Sequence, residues 1–190
     1  MDWNQRYVVG DTPWDKGEAH PVLEDMLAEG ALTGRVLVPG CGTGHDVRAL
    51  ARLGLKVVGL DLAPQALARA EASPRVGTEV YELGDLFRLP PDWLASFDGV
   101  FEHTCFCAID PLQRSAYVEA VAGVLRPGGR LLSVFFVNPE NEGEGPPFGC
   151  TPEELDGLFG GCFRLLEEHW EIPTYPERKG RELLRLYERA

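Results

Sequence analysis

The sequence predicts an α/β fold built on a mostly parallel sheet. Short apolar runs alternate with amphipathic segments of helical period, the pattern of βαβ units with right-handed crossovers. Glycine or proline punctuates the changes of period, at Gly40, Gly54, Pro64, Pro111 and Gly128-Gly129. The last part of the chain departs from the alternation: two apolar runs follow one another with no helix between them, which predicts an antiparallel hairpin closing the sheet.

The first thirty residues read as irregular and then helical. Pro13 biases Thr12 away from the helix, and Pro21 opens a helix with Val22, Leu23, Met26 and Leu27 on one face. Residues 35–39 are a short buried strand, followed by the glycine turn 40–44. Val47, Leu50, Ala51 and Leu53 then repeat at helical spacing up to Gly54. Residues 56–61 form the second strand, and Pro64 starts a helix through Ala66, Leu67 and Ala70. The third and fourth strands are read at 78–83 and 96–101. Pro111 opens a helix carrying Tyr117, Val118, Val121 and Leu125, and Gly128-Gly129 turns into a fifth strand at 130–136. A polar, Gly/Pro-rich loop occupies 140–147. Pro152 begins a short helix through Leu155 and Leu158, and strands at 163–170 and 182–187 make the hairpin, a sheet of seven in all.

Composition narrows the function. The chain has 190 residues, the length of one α/β domain, with 18 Lys and Arg against 30 Asp and Glu, a formal charge of −12. That balance disfavours nucleic acid and anionic membranes, which need a basic footprint. The group Arg178-Lys179-Gly180-Arg181 with Arg185 reads as a solvated edge. No apolar stretch is long enough to cross a membrane and no secretory signal is visible, so a cytoplasmic protein is expected. The five cysteines (Cys41, Cys105, Cys107, Cys150 and Cys162) contain no CxxC pair. This points to reduced thiols, with neither a disulfide framework nor a metal site. Cys105 and Cys107 read as packing residues.

In an open parallel sheet a ligand binds beyond the carboxyl ends of the strands, where the strand order reverses. The glycine turn ends the first strand there and Asp61 ends the second. Glycines admit close approach of a ligand to the backbone, and an acid at the second strand's end can accept both hydroxyls of a ribose. Counting GxGxxG from Gly40 puts His45 at the last glycine, so the dinucleotide pattern fails, and no Gly-Lys-Ser/Thr follows to make a P-loop. Asp61 could instead serve only to cap the helix at Pro64, and Asp85 could be a solvated loop acid.

The fragment Val38-Pro39-Gly40-Cys41-Gly42-Thr43-Gly44 resembles motif I of class I S-adenosylmethionine-dependent methyltransferases. Asp61, then Gly84-Asp85-Leu86-Phe87, then Leu125-Arg126-Pro127-Gly128-Gly129 are similar, in order, to the later motifs of that class. The flanks narrow the resemblance. Trp3-Asn4-Gln5-Arg6-Tyr7, Thr12-Pro13-Trp14-Asp15 and Glu102-His103-Thr104-Cys105-Phe106-Cys107-Ala108-Ile109 resemble the thiopurine S-methyltransferase superfamily, in particular its thiol, thiocyanate and halide methyltransferases.

The resemblance implies a Rossmann-like class I methyltransferase fold over residues 1–190, a single domain whose first thirty residues form a helical lid. It implies S-adenosylmethionine as cofactor, with Trp3, Tyr7, Trp14, Gly40, Cys41, Gly42, Asp61, Leu62, Asp85, Leu86, Glu102 and His103 around it. Aromatic rings beside a sulfonium have a physical rationale, since ring faces attract cations; the same three rings could equally staple the N-terminal segment down. The acceptor would be a small soft nucleophile: a thiol, thiocyanate, a halide, a thiopurine or a selenium compound. Phe106, Phe136 and Phe148 are candidate walls for it. If a thiol must lose its proton, His103, Glu102 and His20 are the candidates to take it. His103 stands where the superfamily carries Tyr or Arg, so its contact is not carried over. A non-catalytic cofactor-binding module and a related transferase such as an aminopropyltransferase stay open, as do monomer and homodimer.

Overall fold

The computed structural model describes residues 1–138 and 145–190. Seven strands form one sheet: β1 Arg35–Pro39, β2 Lys56–Asp61, β3 Val80–Leu83, β4 Phe97–His103, β5 Leu125–Phe136, β6 Phe163–His169 and β7 Glu182–Arg189. Their order is β3-β2-β1-β4-β5-β7-β6. Strands β1 to β5 pair in parallel, while β7 runs antiparallel to both β5 and β6. The terminal hairpin is therefore present, with its second strand on the inside. After β3 the chain returns to lay β4 against the other side of β1. That reversal fixes the ligand-binding crevice at the carboxyl ends of β1 and β4.

Among the described residues six α-helices flank the sheet: α1 Trp3–Val9, α2 Val22–Ala28, α3 His45–Arg52, α4 Pro64–Ala72, α5 Arg114–Val124 and α6 Pro152–Phe159. One core, around Val100, Phe106, Tyr117, Phe135 and Phe159, fills the face under α5 and α6. The other, around Leu23, Val36, Val47, Leu50 and Phe101, fills the face under α2 and α3. Period-two burial along β4 accounts for the division: Val100 points to one core and Phe101 to the other.

Several boundaries differ from those predicted. Residues 3–9 are helical from Trp3 onward, because Asp2 caps the first turn through Gln5 N (2.9 Å) and Gly10 closes the last at φ 78°. The third strand starts at Val80, not Thr78. Glu79 folds back onto the Val76 and Gly77 amides (2.7 and 2.8 Å) and holds that approach as a turn. β4 runs two residues further than expected, to His103, and β5 begins at Leu125, which had read as helix. Residues 140–144 of the expected polar loop lie outside the described residues.

Candidate active site

The β1–α3 turn is shaped by glycines in the left-handed region, Gly40 at φ 60° and Gly42 at φ 54°. Both are also confined in space. A Cβ on Gly42 would sit 2.9 Å from the Tyr7 hydroxyl, and one on Gly40 would sit 3.0 Å from Cys105 Sγ. Asp61, at the end of β2, reaches across to this turn. Its Oδ2 accepts from Gly42 N and its Oδ1 from Ala63 N, both at 2.8 Å. Burial pushes its carboxyl above the ordinary range, against the backbone amides that favour the anion. Each oxygen keeps a further acceptor position.

These residues border a cavity of about 600 Å³. The N-terminal segment and the carboxyl ends of β1, β2 and β3 contribute Trp3, Tyr7, Trp14, Gly40, Asp61, Leu62, Asp85, Leu86 and Phe87 to its lining. Trp14 donates to the Tyr7 hydroxyl (3.0 Å) and stands edge-on to Trp3 and Tyr7, with centroids at 5.4 and 5.9 Å. Asp85 caps a short 3-10 turn through Phe87 N (2.9 Å), which seats Leu86 in the core. The stretches 104–109, 146–147 and 178–181 and Phe136 supply further lining, including Cys105, Cys107, Ile109, Arg178 and Arg181, and meet the first group where Cys105 lies against Gly40.

A second cavity of about 40 Å³ adjoins the first, and the two share Tyr7, Trp14 and Lys16. Cys41, Gly42, Asp46 and His103 line it. Asp46 receives His20 N (2.8 Å) on one oxygen and His103 Nδ1 (2.9 Å) on the other. Burial works against the Asp46 anion, but His103 outweighs it and the carboxyl is held low. With Nδ1 given to Asp46, His103 Nε2 is buried and has no hydrogen-bond partner among the described residues.

The three proton-acceptor candidates thus differ in what remains free. Glu102 lines neither cavity. Its Oε1 accepts from Cys105 N (3.0 Å) and Phe106 N (2.8 Å), and its Oε2 accepts from the Tyr117 hydroxyl (2.5 Å). His20 accepts from Val22 N on Nδ1 (3.3 Å), so its proton sits on Nε2 and is donated to Glu182 (3.0 Å). The donor atoms of His20, His103 and Glu182 lie within 4.8 Å of one another, as metal ligands would. Glu182 is already engaged by His20, Thr174 and Arg178, which makes the group a hydrogen-bond network. Only His103 keeps a free ring nitrogen.

Other expectations change. Phe106 is not a cavity wall but a core residue, edge-on to Tyr117 and Phe135. Phe136 lines the cavity; Phe148 does not. Cys105 caps a 3-10 turn and Cys107 lies within it, in place of an extended segment, and both line the cavity. Burial pushes both thiols up, Cys107 to about 12, so they sit there as neutral, soft surface. The basic group near the C-terminus is not a solvated edge throughout. Arg178 and Arg185 are buried, Arg178 in an ion pair with Glu182 (3.0 Å) and Arg185 in pairs with Asp156 and Glu168. Arg178, Pro146, Pro147 and Asp46 were not read from the sequence as site residues. Asp46, two residues after the glycine turn, had a usable signal.

A model of the thiopurine S-methyltransferase family matches residues 1–182. The chain belongs to that family. It is 37% identical over 188 residues to thiocyanate methyltransferase 1 of Brassica oleracea, covering 96% of this chain and 82% of the relative. Thiopurine S-methyltransferase of Nitrosospira multiformis is 30% identical, with 98% and 93% covered. In fold the chain is similar to 1,6-didemethyltoxoflavin-N1-methyltransferase of Burkholderia thailandensis. The TM-score is 0.77 at 20% identity, over 100% of this chain and 86% of that one, in a structure holding S-adenosylhomocysteine. As a family member the chain is a methyltransferase using S-adenosylmethionine. The donor set fits that cofactor: a carboxylate with spare acceptor positions for a diol, a turn cleared of side chains and an aromatic wall for a cation.

Proposed function

We propose that this methyltransferase acts on a small soft nucleophile, a thiol, hydrosulfide, thiocyanate, halide, thiopurine or selenium compound. The observation that carries the reading is the second part of the large cavity's lining. Beyond the aromatic and Asp61 part, its surface combines the soft and apolar groups of Cys105, Cys107, Ile109, Phe136 and Pro146 with the cations Arg178 and Arg181, which suit a small anion. A soft anion stripped of water in such a slot exposes its full nucleophilicity. The acceptors named for the relatives from Brassica and Nitrosospira support the same choice.

In this reading Asp61 takes the ribose hydroxyls, and Leu62, Asp85 and Leu86 border the base. Gly40, Cys41 and Gly42 give backbone contact, while Trp3, Tyr7 and Trp14 cover the charged centre. S-adenosylmethionine supplies an activated methyl group on a sulfonium. The chain supplies alignment and exclusion of water. Acceptors that arrive as anions need no base. For a thiol, His103 Nε2, in the adjoining small cavity, takes the proton by way of a bridging water, and Asp46 steadies the imidazolium that results.

We take residues 1–190 as one domain, with 1–30 as its lid. Thr43 donates to Asp15 (2.8 Å), Lys16 pairs with Glu177 (2.7 Å) and Arg69 donates to the Tyr7 carbonyl (2.5 Å), so the segment is tied to the glycine turn, to the cavity lining at Glu177 and to α4. All five cysteines are free thiols, which suits the cytoplasm. No helix among the described residues is long and apolar enough to cross a membrane. The charge of −12 argues against nucleic acid as a partner. The test is transfer of a labelled methyl group from the cofactor to iodide, thiocyanate, hydrosulfide, small thiols, a thiopurine and selenide in parallel. Turnover on these acceptors is expected; turnover only on protein or DNA would overturn the reading.

A further inference from the structure

Arg114 opens α5 and is 2% exposed, yet it is not part of the cavity lining. Its guanidinium lies 4.6 Å over the Phe106 ring. From there one terminal nitrogen reaches the carbonyls of Phe148 (3.2 Å) and Gly149 (3.0 Å), and the other reaches Glu154 Oε1 (2.6 Å). The segment it grips carries Pro146 and Pro147 into the cavity. The same segment is tied at its middle, where Phe148 N donates to the Cys107 carbonyl (2.7 Å).

Phe106 and Cys107 belong to one 3-10 turn, Phe106 on its core side and Cys107 and Ala108 on the cavity side. Arg114 therefore backs that turn from the core through Phe106 and holds the 145–149 segment by charge-assisted bonds to two successive carbonyls. A guanidinium does both because it is flat and forked; an ammonium could make at most the carbonyl contacts. We propose that Arg114 is a positioning residue that sets the width of the acceptor end and so selects for small acceptors. This rests on the reading of that end as the acceptor site.

The consequence is a change of preference rather than a general loss. Loosening the 145–149 segment lets the acceptor end widen. Small acceptors lose alignment, while bulky ones lose little or gain. The cofactor end is built on β1, β2 and the 3-10 turn at Asp85 and does not include this segment.

The test uses the whole enzyme and two acceptors, hydrosulfide and thiophenol, with S-adenosylhomocysteine affinity measured alongside. Wild-type turnover of hydrosulfide checks the acceptor reading on its own, before any variant is made. For Arg114→Met, KM for hydrosulfide is expected to rise about tenfold, and the kcat/KM ratio of hydrosulfide to thiophenol to fall by a similar factor. Cofactor affinity should stay within about twofold. Arg114→Lys, which keeps the charge and folds more readily, should recover part of the ratio. Glu154→Gln, which leaves the carbonyl bonds in place, should keep the wild-type ratio. An unchanged ratio in Arg114→Met, or equal losses for both acceptors and the cofactor, would overturn the proposal.

Discussion

Asp61 and Glu102 stand on the two strands that flank β1, and locally they do the same thing. Each is nearly sealed from solvent and accepts two backbone N–H groups from the turns around it, and burial pushes each carboxyl above its ordinary range. Their outer sides differ. Asp61 ends its strand and borders the large cavity. Glu102 comes one residue before its strand ends, so the alternation of β4 turns it under α5, where Tyr117 takes its second oxygen. The same chemistry faces the large cavity in one place and a turn in the other, and one step of strand register decides which.

The largest expected effect separates them on the structural side. Glu102→Ala strands two amides and a tyrosine hydroxyl in a sealed site, and should cost roughly 3–5 kcal/mol in denaturant unfolding, at about 1–3 kcal/mol for each unsatisfied group less what relaxation recovers. Asp61→Ala should cost less stability, because solvent in the cavity can reach the amides it leaves. Its loss should appear instead in cofactor affinity, roughly 2–4 kcal/mol by calorimetric titration. Equal stability losses in the two variants would break the distinction.

Acid should sharpen it. Asp61's folded-state pKa is raised, so its contribution to stability is full below the ordinary aspartate range and fades as pH rises through the folded value. Ribose hydroxyls favour the anion and pull the other way. Cofactor affinity should therefore weaken on acidification while pH is still above 3.8, the ordinary aspartate value, whereas an unperturbed acid would hold it to lower pH. A profile flat down to that value would remove Asp61 from the site.

The smallest expected effect concerns His103, Glu102's neighbour on the opposite face. His103→Asn should lower turnover of a thiol roughly tenfold at neutral pH and shift its pH profile upward. Thiocyanate turnover should stay nearly unchanged. Parallel losses for both acceptors would assign His103 to packing.

How much of this was legible in the sequence follows the same line. The strands, the hairpin and the glycine turn are written in period and punctuation, and Asp61 is fixed by its place after the second run. The orientation of Glu102 was not legible, because β4 was expected to stop at 101 and its parity near the end had no anchor. Arg178 and Arg185 read as surface residues because charge alone carries no sign of burial; Arg178 meets Glu182 four residues on, while Glu168 and Asp156 are brought to Arg185 by the pairing of β6 with β7 and by α6. The acceptor end is drawn from four separate stretches, around 104–109, 136, 146–147 and 178–181, with no period to join them.

One titration bears most directly on the division of labour between the two carboxylates. Glu102→Gln retains an acceptor for the turn amides and should fold, so S-adenosylhomocysteine can be titrated into it beside the wild type. Affinity within about threefold of wild type is expected if Glu102 only holds the turn. A loss as large as that of Asp61→Ala would contradict it and would make Glu102 part of the cofactor site.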